Sequence, residues 1–186
     1  MNTLIVDNTS PFTRDILFHA VRFKKNVFSK LYSQVNMDRL HDYDCIILSG
    51  RKKINKETNM VNTRIIRYCY QTDIPLLGIC YGAEMINLYF GGSLYRMDQV
   101  IQGFKKITIL KDCLSLPSNF SFSAYQSHKY CISKISSQLE SLASSPGNKF
   151  EILKHLDKNI FGFQFHPEKS GKIGEYLINS FLNISR

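Results

Sequence analysis

The sequence predicts an α/β fold of three layers: a mostly parallel central sheet covered by helices, with antiparallel strands added in the C-terminal half, as one domain over residues 1–186. Three observations carry this. Strand-like and helix-like segments alternate through the first ninety residues. Cys45-Ile46-Ile47-Leu48 is apolar throughout, as an interior parallel strand buried on both faces requires. After Gly92 the texture changes to short β-like runs separated by turn signals.

In order, Thr3 to Val6 reads as a first strand. It leads to Asp7-Asn8-Thr9-Ser10-Pro11, where Ser10 suits a helix cap and Pro11 its first position. Phe12, Ile16, Leu17, Ala20 and Val21 then recur at helical spacing. Val27 to Tyr32 suits a second strand, with a short helix near Asp38 to His41, and Cys45 to Leu48 is the third strand, stopping at Ser49-Gly50. A helix over Asn59 to Gln71 places Val61, Ile65, Ile66, Cys69 and Tyr70 on one face. The later β-like runs are Lys106 to Leu110, Phe120 to Tyr125, Leu139 to Ser144, Phe150 to Leu153 and Ile160 to Phe165. Gly171 to Ile184 closes the chain as a helix, with Ile173, Leu177, Ile178 and Phe181 inward.

Composition narrows the function classes. At 44% hydrophobic and 21% charged residues, the chain has the make-up of a soluble globular protein. Five widely spaced cysteines without a C-x-x-C pair suggest neither a disulfide framework nor a zinc site. No apolar run is long enough to span a membrane. The first strand begins at once, leaving no room for a targeting peptide, so a cytoplasmic location, or the interior of an organelle that makes its own protein, is expected. The formal charge of +9 is spread singly or in pairs, with Arg51-Lys52-Lys53 the densest run. That pattern argues against nucleic acid and for a solvated surface or a docking face for an acidic partner or phosphorylated substrate.

The stretch with the most chemistry is Pro75 to Gly92. Leu76, Leu77 and Ile79 form a short buried strand, and Ala83 to Phe90 a helix that stops at Gly91-Gly92. Cys80 falls on the turn between them, with Gly78 and Gly82 two residues to either side, where a sharp turn needs close backbone approach. This is a nucleophile elbow with sulfur as the nucleophile, and the helix N-terminus favours thiolate. Ligands of parallel sheets bind outside the carboxyl ends of the strands, so Ser49-Gly50 and Cys80 are expected to be neighbours. At the end of the last β-like run stands His166-Pro167-Glu168. With Pro167 holding the backbone extended, residues two apart face the same way, and Glu168 can orient His166 as the base for Cys80.

These residues resemble the class I, triad-type glutamine amidotransferases. The likeness runs nearly end to end, through Asp7-Asn8, Leu48-Ser49-Gly50, Gly78-Ile79-Cys80-Tyr81-Gly82, Ser127-His128-Lys129 and Gly162 to Glu168. It implies a flavodoxin-like sheet and a Cys80-His166-Glu168 triad that hydrolyses glutamine through a thioester. It also implies that ammonia passes to a synthetase or cyclase partner: an ATP pyrophosphatase subunit in GMP synthesis is the favoured one, with the imidazole glycerol phosphate, anthranilate and aminodeoxychorismate synthases as alternatives. The backbone N–H groups of Tyr81 and of Arg51 or Gly50 would form the oxyanion hole, and Glu84, Gly82, Ser127 and His128 would contact substrate. Covalent thiol chemistry needs no metal or organic cofactor, and His19, His41 and His155 show no ligand spacing.

Three positions depart from the family pattern. Arg51 replaces a second glycine after Ser49-Gly50, which restricts the peptide that completes the hole. Glu84 replaces a glutamine that contacts substrate, and its charge would pair with the substrate ammonium, alter substrate choice or raise the Cys80 pKa. Tyr130 stands where the glutaminase subunit of GMP synthetase has an acid, while Glu168-Lys169-Ser170-Gly171 is more like the glutaminase of imidazole glycerol phosphate synthase. The anthranilate and aminodeoxychorismate subunits carry a Pro-Gly-rich loop that Arg51-Lys52-Lys53 does not match. Two further readings keep the fold: a free-standing hydrolase of γ-glutamyl amides or peptides, and a catalytically weak regulatory or scaffolding protein.

Overall fold

In a computed structural model that describes residues 1–53 and 55–184, the chain alternates β1 (Asn2–Asp7), α1 (Thr13–Phe23), β2 (Asn26–Leu31), β3 (Cys45–Leu48), α2 (Lys56–Thr72), β4 (Leu76–Ile79) and α3 (Tyr81–Tyr89). It continues through β5 (Ser93–Ile109), β6 (Ser121–Lys134), β7 (Leu139–Ser145), β8 (Asn148–His155) and β9 (Ile160–Phe163) to α4 (Gly171–Leu182). Among the described residues no helix is long and apolar enough to cross a membrane.

One nine-stranded sheet runs in the order β2-β1-β3-β4-β9-β8-β7-β5-β6. The first five are mutually parallel, and β8 turns antiparallel against β9. The period of two along each buried strand sorts its side chains onto two faces. Ile5, Ile47, Leu77 and Phe161 join Ile16 and Ala20 of α1 and Leu177, Ile178 and Phe181 of α4 in one core. Leu4, Val6, Ile46, Leu48 and Leu76 join Ile65, Ile66 and Cys69 of α2 and Ile86 of α3 in the other. The expected three layers are present, as is the antiparallel extension.

Element ends moved for local reasons. Ser10 does not cap α1: Asp7 Oδ1 accepts from the backbone N–H of Ser10 (3.2 Å) and the hydroxyl of Thr13 (2.7 Å), so the segment turns once more and the helix starts at Thr13. α2 starts three residues earlier than the apolar face suggests, because Asn55 accepts from the Glu57 N–H at 2.9 Å. β9 ends at Phe163 instead of Phe165, and α4 at Leu182 instead of Ile184.

The largest departure is β5, a 17-residue strand of which only the last few residues alternate between buried and exposed. Its N-terminal part is held by pairing with β6, from Ser93 opposite Lys134 to Gly103 opposite Gln126, with a bulge between Arg96 and Ile101. Such a ribbon buries little, so it leaves no hydrophobic period to read.

Candidate active site

β4 ends and α3 begins at Cys80, whose backbone sits at φ 52°, ψ −104°. Few non-glycine residues are held there without compensation. The Cys80 N–H donates to the Phe163 carbonyl at 2.6 Å, and its own carbonyl accepts the Glu84 N–H at 3.0 Å, so the elbow is pinned from both sides. A Cβ on Gly78 would overlap the Gly82 carbonyl group, and one on Gly82 would lie 2.6 Å from the Leu48 oxygen. Gly82 therefore packs beneath the elbow against β3 and does not line the cleft.

That cleft, of about 330 Å³, is lined by Cys80, Tyr81, Glu84, Arg51, Ser127, His128 and His166, with Lys52, Lys53 and Lys129 adding positive charge at its walls. Gly50 lies beside it, where a Cβ would come within 3.2 Å of His166 Cε1 and 3.8 Å of Cys80 Cβ. The carboxyl ends of β3, β4 and β9 thus converge as the sequence anticipates.

His166 is extended (φ −101°, ψ 93°), as a residue before proline should be. The extended path stops there. Pro167 to Lys169 forms a 3₁₀ turn, because proline's fixed φ suits the first position of a helical turn. Glu168 reaches the ring by this turn, contrary to the expected extended alternation, and its Oε1 meets His166 Nδ1 at 2.7 Å. Ser170 locks the turn by donating to the His166 carbonyl at 2.6 Å. The other ring nitrogen, Nε2, is buried without a well-aligned hydrogen bond. Cys80 is its neighbour, and such contacts are commonly loose before substrate binds.

The electrostatics of this pair are coupled. Burial pushes the Cys80 thiol up, against the downward pull of His166. Burial also opposes charge on His166, but Cys80 and Glu168 outweigh it and hold the imidazole well above its usual value. The sulfur contributes only once it is ionised, so each ionisation favours the other.

Glu84, on the first turn of α3, is pushed up to about 7 by burial, with Gln164, Arg51 and His166 acting the other way. Its Oε1 is 3.5 Å from Gln164 Nε2.

Residues 4–184 match the family model of glutamine amidotransferase class-I. The chain belongs to that family. It is 34% identical over 140 residues to a glutamine-hydrolyzing GMP synthase subunit of Methanococcus maripaludis, covering 73% of this chain and 70% of the relative. With the corresponding subunit of Methanocaldococcus jannaschii it shares 32% identity over 143 residues, covering 75% and 72%. Among solved structures, a Thermoplasma acidophilum protein provisionally assigned to the same GMP synthase component superimposes with a TM-score of 0.84 at 23% identity, over 98% of this chain and 92% of that one. A glutamine amidotransferase of Thermotoga maritima gives 0.74 at 17% identity, over 98% and 83%. The last two likenesses bear on the fold.

Arg51 finds partners within the cleft. Arg51 lies over the Tyr81 ring, 3.8 Å from its centre, and donates to Asn59 Oδ1 at 2.7 Å; the Tyr81 hydroxyl donates to the same oxygen at 2.8 Å. Ser127 approaches by its carbonyl, 3.9 Å from the Cys80 sulfur. Sequence reasoning missed Asn59, Gln164, Gln126 and Glu151. Gln126 and Glu151 had no motif to mark them, although Glu151, an acid inside the apolar β-like run Phe150 to Leu153, was a signal of a buried polar group. Among the described residues no group of three His, Cys, Asp or Glu is placed to hold a metal.

Proposed function

We propose that this chain is a glutaminase that hydrolyses the γ-amide of glutamine to glutamate and ammonia, and that it supplies the ammonia to a separate ATP pyrophosphatase-type synthetase subunit in GMP synthesis. The observation that carries the reaction is the buried 2.7 Å contact of Glu168 with His166 beside a positive-φ cysteine at a helix N-terminus. The relatives named as glutamine-hydrolyzing GMP synthase subunits support the choice of acceptor.

In the proposed sequence Cys80 Sγ attacks the γ-carbonyl carbon while His166 Nε2 takes the thiol proton, and Glu168 stabilises the imidazolium through Nδ1. The tetrahedral oxyanion faces the Tyr81 N–H at the start of α3 and the N–H of Gly50 or Arg51, each donor worth about 3 kcal/mol of barrier. Collapse breaks the C–N bond, and His166 returns its proton to the leaving nitrogen. Water, deprotonated by His166, then cleaves the thioester and releases glutamate.

The test is release of glutamate from glutamine by the purified chain, alone and with a GMP synthetase ATP pyrophosphatase subunit. Turnover that rises with the partner supports the proposal. Efficient cleavage of γ-glutamyl peptides by the chain alone would overturn the ammonia-donor role.

A further inference from the structure

Asn8 and Ser49 stand just after β1 and β3, and the catalytic steps leave both side chains without a task. In the fold they are neighbours, because β1 and β3 pair side by side. The Ser49 hydroxyl accepts the backbone N–H of Asn8 at 2.9 Å and donates to the Gly50 carbonyl at 2.9 Å. Neither direction is open to choice: an N–H can only donate and a carbonyl can only accept, so the single proton of the hydroxyl is committed to Gly50. The Asn8 amide nitrogen donates to the Ser49 carbonyl at 3.0 Å and to Asn62 Oδ1 at 3.1 Å. Asn62 returns a bond to Asn8 Oδ1 at 2.7 Å and donates to the Thr58 carbonyl at 2.8 Å. Asn8, Ser49 and Asn62 are at most 1% exposed, so water does not compete for these bonds. They fasten the end of β3 between β1 and the start of α2.

What they hold is one peptide. β3 lies between β1 and β4. Ser49 is tied to the β1 side twice, through Asn8 and by its own N–H to the Val6 carbonyl at 3.1 Å, so the Gly50 carbonyl that its hydroxyl grips is turned to that side. The Gly50–Arg51 peptide is trans, and in a trans peptide the N–H points opposite to the C=O. The N–H of Arg51 therefore faces away from β1, toward the end of β4, where Cys80 stands. Gly50 is close enough for this to matter: a Cβ on it would lie 3.8 Å from Cys80 Cβ and 3.2 Å from His166 Cε1. Half a turn of this peptide would present a carbonyl oxygen in place of an N–H, and its partial negative charge would oppose an oxyanion there. That turn also breaks the Ser49 bond and strands a buried hydroxyl.

We propose that Ser49 is a positioning residue for the amide hydrolysis: its hydroxyl, anchored by Asn8 and Asn62, keeps the Gly50–Arg51 peptide turned so that the Arg51 N–H, and not the Gly50 carbonyl, meets the oxyanion that forms at Cys80. Ser49 touches no reacting atom. It acts through the peptide alone, so its effect falls on the tetrahedral intermediate, which carries the negative oxygen, and not on the bound amide. The stack of Arg51 on Tyr81 is a separate constraint. Ser49 decides which side the peptide faces, and the stack limits how closely its N–H can follow the oxyanion. The inference rests on the glutamine reading only for the identity of the carbonyl that Cys80 attacks.

Ser49→Ala in the full chain removes the grip and little volume. In the nitrogen-labelled protein without substrate, NMR is expected to show one sharp Arg51 amide resonance in the parent and a broadened or doubled one in Ser49→Ala. Glutaminase kcat is expected to fall about 30–100-fold, part of the loss that follows removal of an oxyanion donor, while KM stays within about threefold. Alkylation of Cys80 by iodoacetamide is a displacement that forms no oxyanion, and its rate is expected to stay within about twofold. Ser49→Thr keeps the hydroxyl and should hold kcat within about threefold of the parent. Asn62→Ala loosens Asn8 from the far side; it should show the same kcat-selective loss at smaller size, and it takes the place of Ser49→Ala if that variant does not fold. An Arg51 resonance unchanged by Ser49→Ala would overturn the proposal. So would an unaltered kcat, or alkylation slowed as much as turnover, which would put the effect on the thiol. If the parent releases no glutamate from glutamine, the substrate reading falls, and the Arg51 resonance still decides whether Ser49 holds the peptide.

Discussion

Arg51 covers Tyr81: its guanidinium carbon sits 3.8 Å from the ring centre while both side chains share Asn59 Oδ1. The two residues also carry the backbone N–H groups proposed for the oxyanion hole, so the side-chain stack ties together the peptides at the ends of β3 and β4. A guanidinium over a ring contributes about 0.5–2 kcal/mol.

Arg51→Gly should therefore act in two directions. Loss of the stack lowers Tm by roughly 2–4 °C per kcal/mol for a chain of this size. Freedom of the peptide raises glutaminase turnover of the isolated chain several-fold, as measured by glutamate release. Unchanged turnover with lowered Tm would show that the stack serves stability alone.

Glu168 orients the imidazole from a 3₁₀ turn, so replacing it without changing its shape isolates that role. Glu168→Gln should lower kcat by roughly 10³–10⁴-fold with little change in KM, by analogy with loss of the orienting acid in other triads. Steady-state kinetics on the folded variant checks this, and an effect under tenfold would remove Glu168 from the triad.

Glu84 predicts a pH effect. Its carboxyl is raised from 4.5 to about 7 by burial, so the folded chain holds this proton where the unfolded chain has lost it. Stability from Glu84 is complete below pH 4.5 and lost as pH rises to about 7, a change on the order of 3 kcal/mol. Glu84→Gln should match the parent at pH 4.5 and exceed its unfolding free energy at pH 8. Since ionised Glu84 raises the Cys80 pKa, the same variant should reach full activity at lower pH. Coincident pH–rate curves would refute the coupling.

Gly174 of α4 packs against the Pro167 turn so closely that a Cβ there would overlap the Pro167 carbonyl. Gly174→Ala should displace the turn carrying Glu168, lowering kcat at least tenfold while glutamine KM stays within twofold. Kinetics beside a thermal melt separates this from general unfolding.

Much of this protein was written locally. The apolar runs of β1, β3 and β4, the glycines around Cys80 and the Gly162 to Glu168 segment each announce themselves within a few residues, because burial on both faces and a strained elbow restrict side-chain choice at close range. The length of β5 and β6 was not legible, since cross-strand hydrogen bonds between exposed residues impose no hydrophobic pattern. Nor was the route by which Glu168 reaches His166. Tertiary structure decided it: Gly174 and Ser170 hold the Pro167 turn, and no period in the sequence encodes that contact. The same holds for Arg51 on Tyr81, for the hydrogen bonds from His128 through Gln126 to Glu151, and for those from Asn8 through Ser49 to Gly50. Their meaning depends on which strands become neighbours, and strand order is fixed by the summed packing of two cores, which no single segment specifies.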